Sequence, residues 1–147
     1  MGMTYTGEKL TESFEGCRLT AYQDVGGVWT IGYGHTKDVK EGDIISLYQA
    51  EQFLISDIGW AENVVNDLVT VPLNQDEFNA LVDFVFNLGE GNFEKSTLVK
   101  LLNNSDYQGA TDEFIKWDRA GGKVVVGLLR RRIAEKNEFI DGTEVSS

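Results

Sequence analysis

The chain is poor in several residue types that would decide its class at once. Its 147 residues include one cysteine, one proline and one histidine. Cys17 has no partner for an internal disulfide, and His35 has neither a second histidine nor a cysteine cluster with which to bind zinc. No apolar run reaches the length of a membrane span. These absences exclude a disulfide scaffold and a membrane-spanning protein, and we expect no metal and no cofactor.

Basic residues are also scarce. The net charge of −11 argues against general attraction to nucleic acid or stable association with anionic membranes. Of the 13 lysines and arginines, seven lie between Lys116 and Lys136, where there are only two acidic residues. This segment is either a face for an anionic polymer or a helix face paired with acidic neighbours, and the sequence leaves both open.

The amino terminus lacks the basic segment and apolar run of a signal peptide, so we expect none and place synthesis in a reducing cytoplasm. What is present suits one compact domain over residues 1–147, with 41% hydrophobic residues and no internal repeat. A chain of this length buries roughly 68–70% of its unfolded surface and needs no metal or disulfide to fold. We expect two small lobes around a cleft, and a monomer, because no apolar stripe is left over.

The first third of the chain predicts one helix followed by a small sheet. Leu10 and Phe14 lie at helical spacing, which predicts a helix over about residues 7–15. From 18 to 36, β-forming residues alternate with glycines, and Gly26-Gly27 favours a two-residue hairpin turn. This segment is predicted to be a small antiparallel sheet.

Two capping boxes predict the starts of the main helices. Ser46 with Gln49 precedes a long amphipathic helix that would link the two lobes. Asn74 with Glu77 starts a central core helix, which Gly89 ends.

Shorter helices are predicted over 97–103, over about 107–117 after Ser105 and Gln108, and over about 128–140. The tail, residues 141–147, has little to bury and is predicted to be loose. The fold class is α+β and mostly helical, with a small amino-terminal sheet lobe and a larger helical lobe joined by a long helix.

The segment from Phe14 to Thr36 carries the most informative chemistry. Glu15 lies at a predicted helix end, and Asp24 and Thr30 follow on the glycine-rich hairpin. Cleavage of a glycosidic bond needs one acid and one base-like partner, and this layout suits it. Taken singly, the three are also explained as an exposed helix-end glutamate, a turn aspartate and a strand threonine.

Three ordered blocks resemble the phage-type lysozymes. They are EGCRLTAYQD followed by WTIGYGHT, then VPLNQDEFNALVDFVFNLGEGNFEKSTLVKLLN, and finally GLLRRRIAEKNEF. Three blocks at family-like spacing, covering nearly the whole chain, are far more specific than one short motif. Within the family the chain is similar to the endolysins of lambdoid and related tailed phages of Gram-negative hosts. This implies a lysozyme-like fold, with a catalytic lobe at about 12–58, a helical lobe at about 59–140 and the first helix packed on the helical lobe.

The resemblance implies an endolysin that hydrolyses the β-1,4 bond between N-acetylmuramic acid and N-acetylglucosamine in peptidoglycan for host cell lysis. Glu15 matches the general acid. Asp24 matches a carboxylate that steadies positive charge and orients water, and Thr30 matches a hydroxyl that positions that water. The resemblance favours inversion of the anomeric centre, although the sequence does not give the carboxylate separation and leaves a retaining route open. It also implies release from the host cytoplasm through a holin.

Three further residues are candidates for cleft support, namely Arg131, Asn87 and Trp29. Arg131 falls where the family places an arginine that pairs with the catalytic glutamate. Its neighbours Arg130 and Arg132 are alternatives, and all three can also be surface charges. Asn87 matches a cleft-facing amide, or supports the helix end at Gly89.

The tryptophans, the histidine and the cysteine are the remaining residues with an expected role. Trp29 can stack on a sugar, whereas the spacing of Trp60 and Trp117 favours the core. We expect His35 to pair with Asp57 on the long helix. Cys17 is interpreted as a small helix-end apolar residue, because no Cys-His pair is visible.

Two other functions stay open. A lytic transglycosylase also uses a glutamic acid but forms an anhydro ring without a water-positioning pair, so Asp24 and Thr30 argue against it. A non-catalytic wall-binding or virion protein can be built on the same fold. The intact set of Glu15, Asp24 and Thr30 argues against that function.

Overall fold

The computed structural model describes the backbone of residues 2–120 and 122–146, and their side chains except those of 120 and 142–146. The elements in chain order are α1 (Glu8–Glu15), β1 (Arg18–Gln23), β2 (Trp29–Gly32), α2 (Leu47–Leu68), α3 (Gln75–Leu88), α4 (Glu90–Lys95), α5 (Thr97–Asn103), α6 (Tyr107–Glu113), a 3₁₀ helix (Phe114–Trp117), β3 (Arg119–Ala120), β4 (Lys123–Val124) and α7 (Val126–Ser146). Within the described ranges, none of the helices combines the length and apolar character needed to cross a bilayer.

The chain divides into two compact units. One, here called the sheet unit, is Glu8–Gly59, and the other, the helical unit, comprises Met1–Gly7 and Trp60–Ser147. The boundary at Gly59 falls within α2, and α1 belongs to the sheet unit. The lobe limits of the sequence analysis, and the packing of α1 on the helical lobe, stay predictions.

Helix α1 and the β1–β2 hairpin lie in the sheet unit, and both form in the segments where the sequence predicts them. Gly16 ends α1 in a left-handed conformation, with φ +67, and its N–H donates to the Glu12 carbonyl at 3.2 Å. The strands are antiparallel, and Thr30 lies opposite Tyr22. The predicted two-residue turn is wrong, because five residues join the strands and only Gly27 of the pair has a positive φ, of +80.

Both capping boxes are confirmed. The Gln49 N–H donates to Ser46 Oγ, and the Ser46 N–H donates to Gln49 Oε1, each at 3.1 Å. Asn74 and Glu77 make the equivalent pair at the start of α3, and Gly89 ends that helix. These bonds satisfy N–H groups that have no partner within the helix, so helix starts follow from local sequence.

The core of the helical unit is built around α3. Its residues from Phe78 to Val85 are all buried, and the helix packs most extensively against α7. Phe84 makes edge-to-face contacts with Phe93, Phe114 and Trp117, with ring centroids 5.6–6.1 Å apart. A helix that is buried on all sides is a central helix, as predicted.

Several predicted details need correction. Asp106, not Ser105, caps α6, because its Oδ1 accepts from the Gly109 N–H at 2.8 Å. The predicted helix over 107–117 is two elements, α6 and the 3₁₀ helix. Trp60 was expected in the core, but it is 42% exposed.

The carboxy-terminal helix is longer than predicted. It begins at Val126 and continues past Ile140 to Ser146, so most of the tail that was predicted to be loose is helical, and Ser147 lies outside the described residues. The short elements α4, β3 and β4 were missed, since they are too short to show a hydrophobic period.

Candidate active site

Glu15 lies against the turn that follows β2. It is the last residue of α1 and is half-buried. Its Oε2 is 3.6 Å from the position that a Cβ on Gly34 would take. Reciprocal backbone hydrogen bonds of 2.9 Å between Ile31 and His35 close this turn. The end of α1 and the end of β2 are therefore neighbours, and the Glu15 carboxyl lies beside a glycine.

Replacing Gly34 by alanine tests this contact. Gly34 has φ +90, so a side chain there is strained by about 1–3 kcal/mol, and its methyl group would also touch the Glu15 carboxyl. We expect both lower stability and lower activity. Gly42→Ala is the matched control, because Gly42 has φ +89 and nothing within 4 Å of its Cβ position. Equal activity loss in the two variants, measured on folded protein, would show that the Glu15 contact is unimportant.

Asp24 organises the loop between β1 and β2. Its Oδ1 accepts from the N–H groups of Gly26 at 2.8 Å and Val28 at 2.9 Å. Asp24 is exposed, and its Oδ2 makes no hydrogen bond to any residue that the structure describes. One oxygen therefore fixes the loop while the other stays available. The turn role and the catalytic role do not exclude each other.

Thr30 is held close to Asp24 through Val28. Thr30 is only 4% exposed, and its hydroxyl donates to the Val28 carbonyl at 2.9 Å. The same carbonyl accepts from the Asp24 N–H, also at 2.9 Å. Because the hydroxyl proton is used in this way, the oxygen lone pairs remain free to accept from a water molecule. The structure thus brings Asp24 and Thr30 together at one end of the hairpin.

The three adjacent arginines have different surroundings. Arg130 is exposed, whereas Arg131 and Arg132 are buried. Arg131 makes a two-pronged ion pair with Asp83 of α3, at 2.8 and 2.9 Å. Arg132 pairs with Glu135, its Nη2 donating to Oε2 at 2.7 Å. The alternative that all three are surface charges is wrong, and the pairing of Arg131 with Glu15 stays a prediction.

Asp83 is the charged residue that the sequence analysis missed. It is fully buried, with 0% exposure, in the middle of the apolar stretch ALVDFVF. A single carboxylate within this otherwise apolar stretch is a signal, since buried charges need a partner. The sequence did not show which basic residue that partner would be.

Asn87 keeps an unused acceptor. Its Oδ1 is buried and has no hydrogen-bond partner in the described part of the chain. Gly89 donates its N–H to the Val85 carbonyl at 2.7 Å, not to Asn87. A buried amide oxygen without a protein partner is uncommon, and the cleft-facing role of Asn87 stays a prediction. Trp29 is half-buried on β2, next to Thr30.

His35 and Cys17 have the environments expected of structural residues. His35 Nδ1 is 2.8 Å from Asp57 Oδ2, which confirms the predicted pair, and the ring stacks on Phe53. Partial desolvation raises the pKa of the Cys17 thiol, although a hydrogen bond with Tyr33 opposes the shift. A raised pKa lowers the thiolate fraction, the opposite of what a nucleophile requires.

Comparison with known proteins identifies close relatives. A family model described as phage lysozyme matches residues 12–135. The chain is 45% identical to an endolysin of Acyrthosiphon pisum secondary endosymbiont phage 1, over 95% of this chain and 98% of that one. It is 41% identical to an endolysin of Bacillus phage B103, over 97% of this chain and 55% of that one. Other relatives are named SAR-endolysins.

Among solved structures, a P22 lysozyme mutant matches with a TM-score of 0.89 and 36% sequence identity. The match covers 94% of this chain and 99% of that one.

Proposed function

Because this chain belongs to the phage lysozyme family and is a muramidase of the endolysin type, we propose that Glu15, Asp24 and Thr30 carry its reaction. The substrate is peptidoglycan, and the bond cleaved is the β-1,4 bond between N-acetylmuramic acid and N-acetylglucosamine. The observation that supports these roles is that the three residues lie around one hairpin. The Val28 peptide group joins Asp24 to Thr30, and Glu15 lies beside the turn that ends the same strand.

Glu15 is the general acid in this proposal. It protonates the glycosidic oxygen as the bond to the sugar breaks. Glu15 must carry a proton to act as the acid, whereas Asp24 acts as a carboxylate. Its negative charge stabilises the positive charge that develops on the sugar ring. Thr30 accepts a hydrogen bond from the attacking water and so orients that water toward the anomeric carbon. Attack from the face opposite the leaving group inverts the configuration and needs no covalent intermediate.

Thr30→Val tests the water-positioning role. Valine has nearly the same shape but no hydroxyl, and the Val28 carbonyl keeps its bond from Asp24, so we expect stability to fall by only about 1 kcal/mol. Activity should fall about 100-fold, because misplacing a reactant, here the attacking water, lowers the rate by about that factor. The measurement is clearing of permeabilised cells, with thermal unfolding as the fold control. Thr30→Ser should recover most of the activity, and failure to do so would assign Thr30 a packing role.

Mass analysis of products released from purified peptidoglycan tests the reaction itself. Hydrated reducing-end muropeptides are expected, and an α-configured first product seen by NMR would establish inversion. Anhydro products would instead identify a lytic transglycosylase and remove Asp24 and Thr30 from the mechanism. Release of no product would leave a non-catalytic wall-binding protein.

The route to the wall is proposed on the family resemblance. The protein acts as a monomer and stays in the host cytoplasm until a holin releases it. Cells that produce this chain alone should then remain intact, and lyse promptly when a holin is co-produced. Lysis without a holin would contradict this route.

A further inference from the structure

A cavity lies in the sheet unit, behind the proposed catalytic hydroxyl of Thr30. Its volume is about 250 Å³, and Ile31, Ile45 and Phe53 are among its apolar lining residues. Ile31 follows Thr30 on β2, and successive side chains on a strand point to opposite faces. The cavity is therefore on the other face of the strand from the Thr30 hydroxyl. This volume is below that of common drug-sized sites and suits a small group.

His35 contributes an unused acceptor to this cavity. It lines the cavity and is only 9% exposed. Its Nδ1 bonds to Asp57, and its Nε2 has no hydrogen-bond partner within residues 2–120 and 122–146. A carboxylate only accepts, so Nδ1 donates, and Nε2 is the acceptor in the tautomer whose proton is on Nδ1. The ring is held in place by stacking on Phe53, with centroids 4.1 Å apart.

The other polar residues of the cavity are charged and of both signs. Asp38, Asp43 and Lys37 line it. Asp43 Oδ2 accepts from the Lys40 N–H at 2.9 Å, which leaves its other oxygen available. Neither Asp38 nor Lys37 makes an ion pair with any residue that the structure describes. The lysine matches a ligand carboxylate, and the two aspartates match a ligand ammonium group. The apolar lining matches an aliphatic chain that carries both groups.

We propose that this cavity is a subsite for the free amino-acid end of a diamino acid in the peptidoglycan stem peptide. The ammonium group donates to His35 Nε2 and to the two aspartates, and the carboxylate pairs with Lys37. The aliphatic chain packs on the apolar lining. This inference rests on the proposed function, because it takes peptidoglycan as the polymer that carries the ligand.

The test is an NMR titration of the full chain with meso-diaminopimelate. We expect saturable shifts of the Ile31 and His35 amide signals, with a Kd of about 1 mM, as befits a small ligand. Pimelate has the same carbon chain but no ammonium, and should bind at least about tenfold more weakly. Equal binding of the two compounds, or shifts that do not include these residues, would overturn the proposal.

Asp38→Asn is the decisive variant. Asp38 has φ +58, a conformation that asparagine adopts readily, so the substitution removes charge without adding strain. We expect about tenfold weaker binding of meso-diaminopimelate. Glu41→Gln removes the same charge from an exposed residue of the same loop that does not line the cavity, and should bind as the unaltered chain does. Equal binding by the two variants would contradict the subsite.

Glu15→Gln separates this inference from the proposed function. That variant should bind meso-diaminopimelate normally while failing to cleave peptidoglycan. Binding with no cleavage by the unaltered chain would leave the subsite standing and refute the catalytic proposal. Cleavage with no binding would refute only the subsite.

Discussion

Replacing Glu15 by glutamine is expected to lower the rate of peptidoglycan cleavage by about 10²–10⁴-fold. Glutamine has the same size and can still form hydrogen bonds, but its amide is too weak an acid to transfer a proton to the leaving oxygen. Glu15 is half-buried at the end of α1, so the folded structure should tolerate the change. The measurement is the initial rate of muropeptide release, together with thermal unfolding to verify the fold.

Glu12→Gln is the matched control, because Glu12 is also half-buried and lies three residues earlier on the same helix. Partial burial raises the pKa of Glu12, and the charges of Glu51 and Glu8 raise it further. The raised pKa makes Glu12 a rival candidate for the general acid. We expect Glu12→Gln to keep most of the activity. Loss of activity in Glu12→Gln and not in Glu15→Gln would assign the acid to Glu12.

Replacing Arg131 by methionine should lower the free energy of unfolding by about 3–5 kcal/mol. The change leaves the carboxylate of Asp83 fully buried without its two-pronged partner. The measurement is urea unfolding near neutral pH. Arg130→Met is the control, because Arg130 is exposed and should change stability by less than about 0.5 kcal/mol. Equal stability of the two variants would mean that the buried pair contributes nothing.

The same variants bear on the predicted contact between Arg131 and Glu15. Activity has to be compared at a temperature where each variant is folded, because unfolding abolishes activity whether or not Arg131 contacts Glu15. Loss of activity in Arg130→Met, with none in folded Arg131→Met, would assign the contact with Glu15 to Arg130.

The buried charged cluster, which consists of Asp83, Arg131, Arg132 and Glu135, also makes stability depend on pH. Burial raises the pKa of Glu135 well above its usual range, and its hydrogen bond with Asp83 and the charge of Asp83 raise it further, while Arg132 opposes the shift. A carboxyl with a raised pKa in the folded state binds its proton more tightly there than in the unfolded chain. Its contribution is complete below the ordinary glutamate pKa of about 4.3, and is lost as the pH rises through the folded-state pKa. The Glu135→Gln side chain does not titrate. The unfolding free energy of this variant should therefore vary less with pH between about 4.3 and the folded-state pKa of Glu135.

Much of the local structure could be predicted because it depends on neighbours in the chain. Each capping box and the glycine that ends α1 or α3 acts over a few residues, so the helix boundaries at Ser46, Asn74 and Gly89 follow from sequence. The prediction failed at Ser105 and at the end of α7. At the first, the adjacent Asp106 supplied the cap instead. At the second, the helix continued where the hydrophobic pattern had already ended.

The candidate active site was predicted in part for the same reason. Asp24 and Thr30 are both hydrogen-bonded to the backbone of Val28, and all three lie within one hairpin, where spacing alone brings them together. Glu15 was chosen through the resemblance to a family, since a helix-end glutamate has no distinguishing local pattern. Its neighbour Gly34 carries no side chain and gave no chemical signal.

The sequence by itself determined the capped starts of α2 and α3, the presence of the hairpin, the family and the three candidate catalytic residues, because these depend on hydrogen bonds and motifs that are local in the chain. Only the tertiary structure decided the partner of Arg131, which lies 48 residues away at Asp83. It alone also placed His35 against Phe53 in a cavity and left the Asn87 oxygen without a partner. These features depend on which helix faces pack together, and a buried charge selects its partner by distance in space and not by position in the chain.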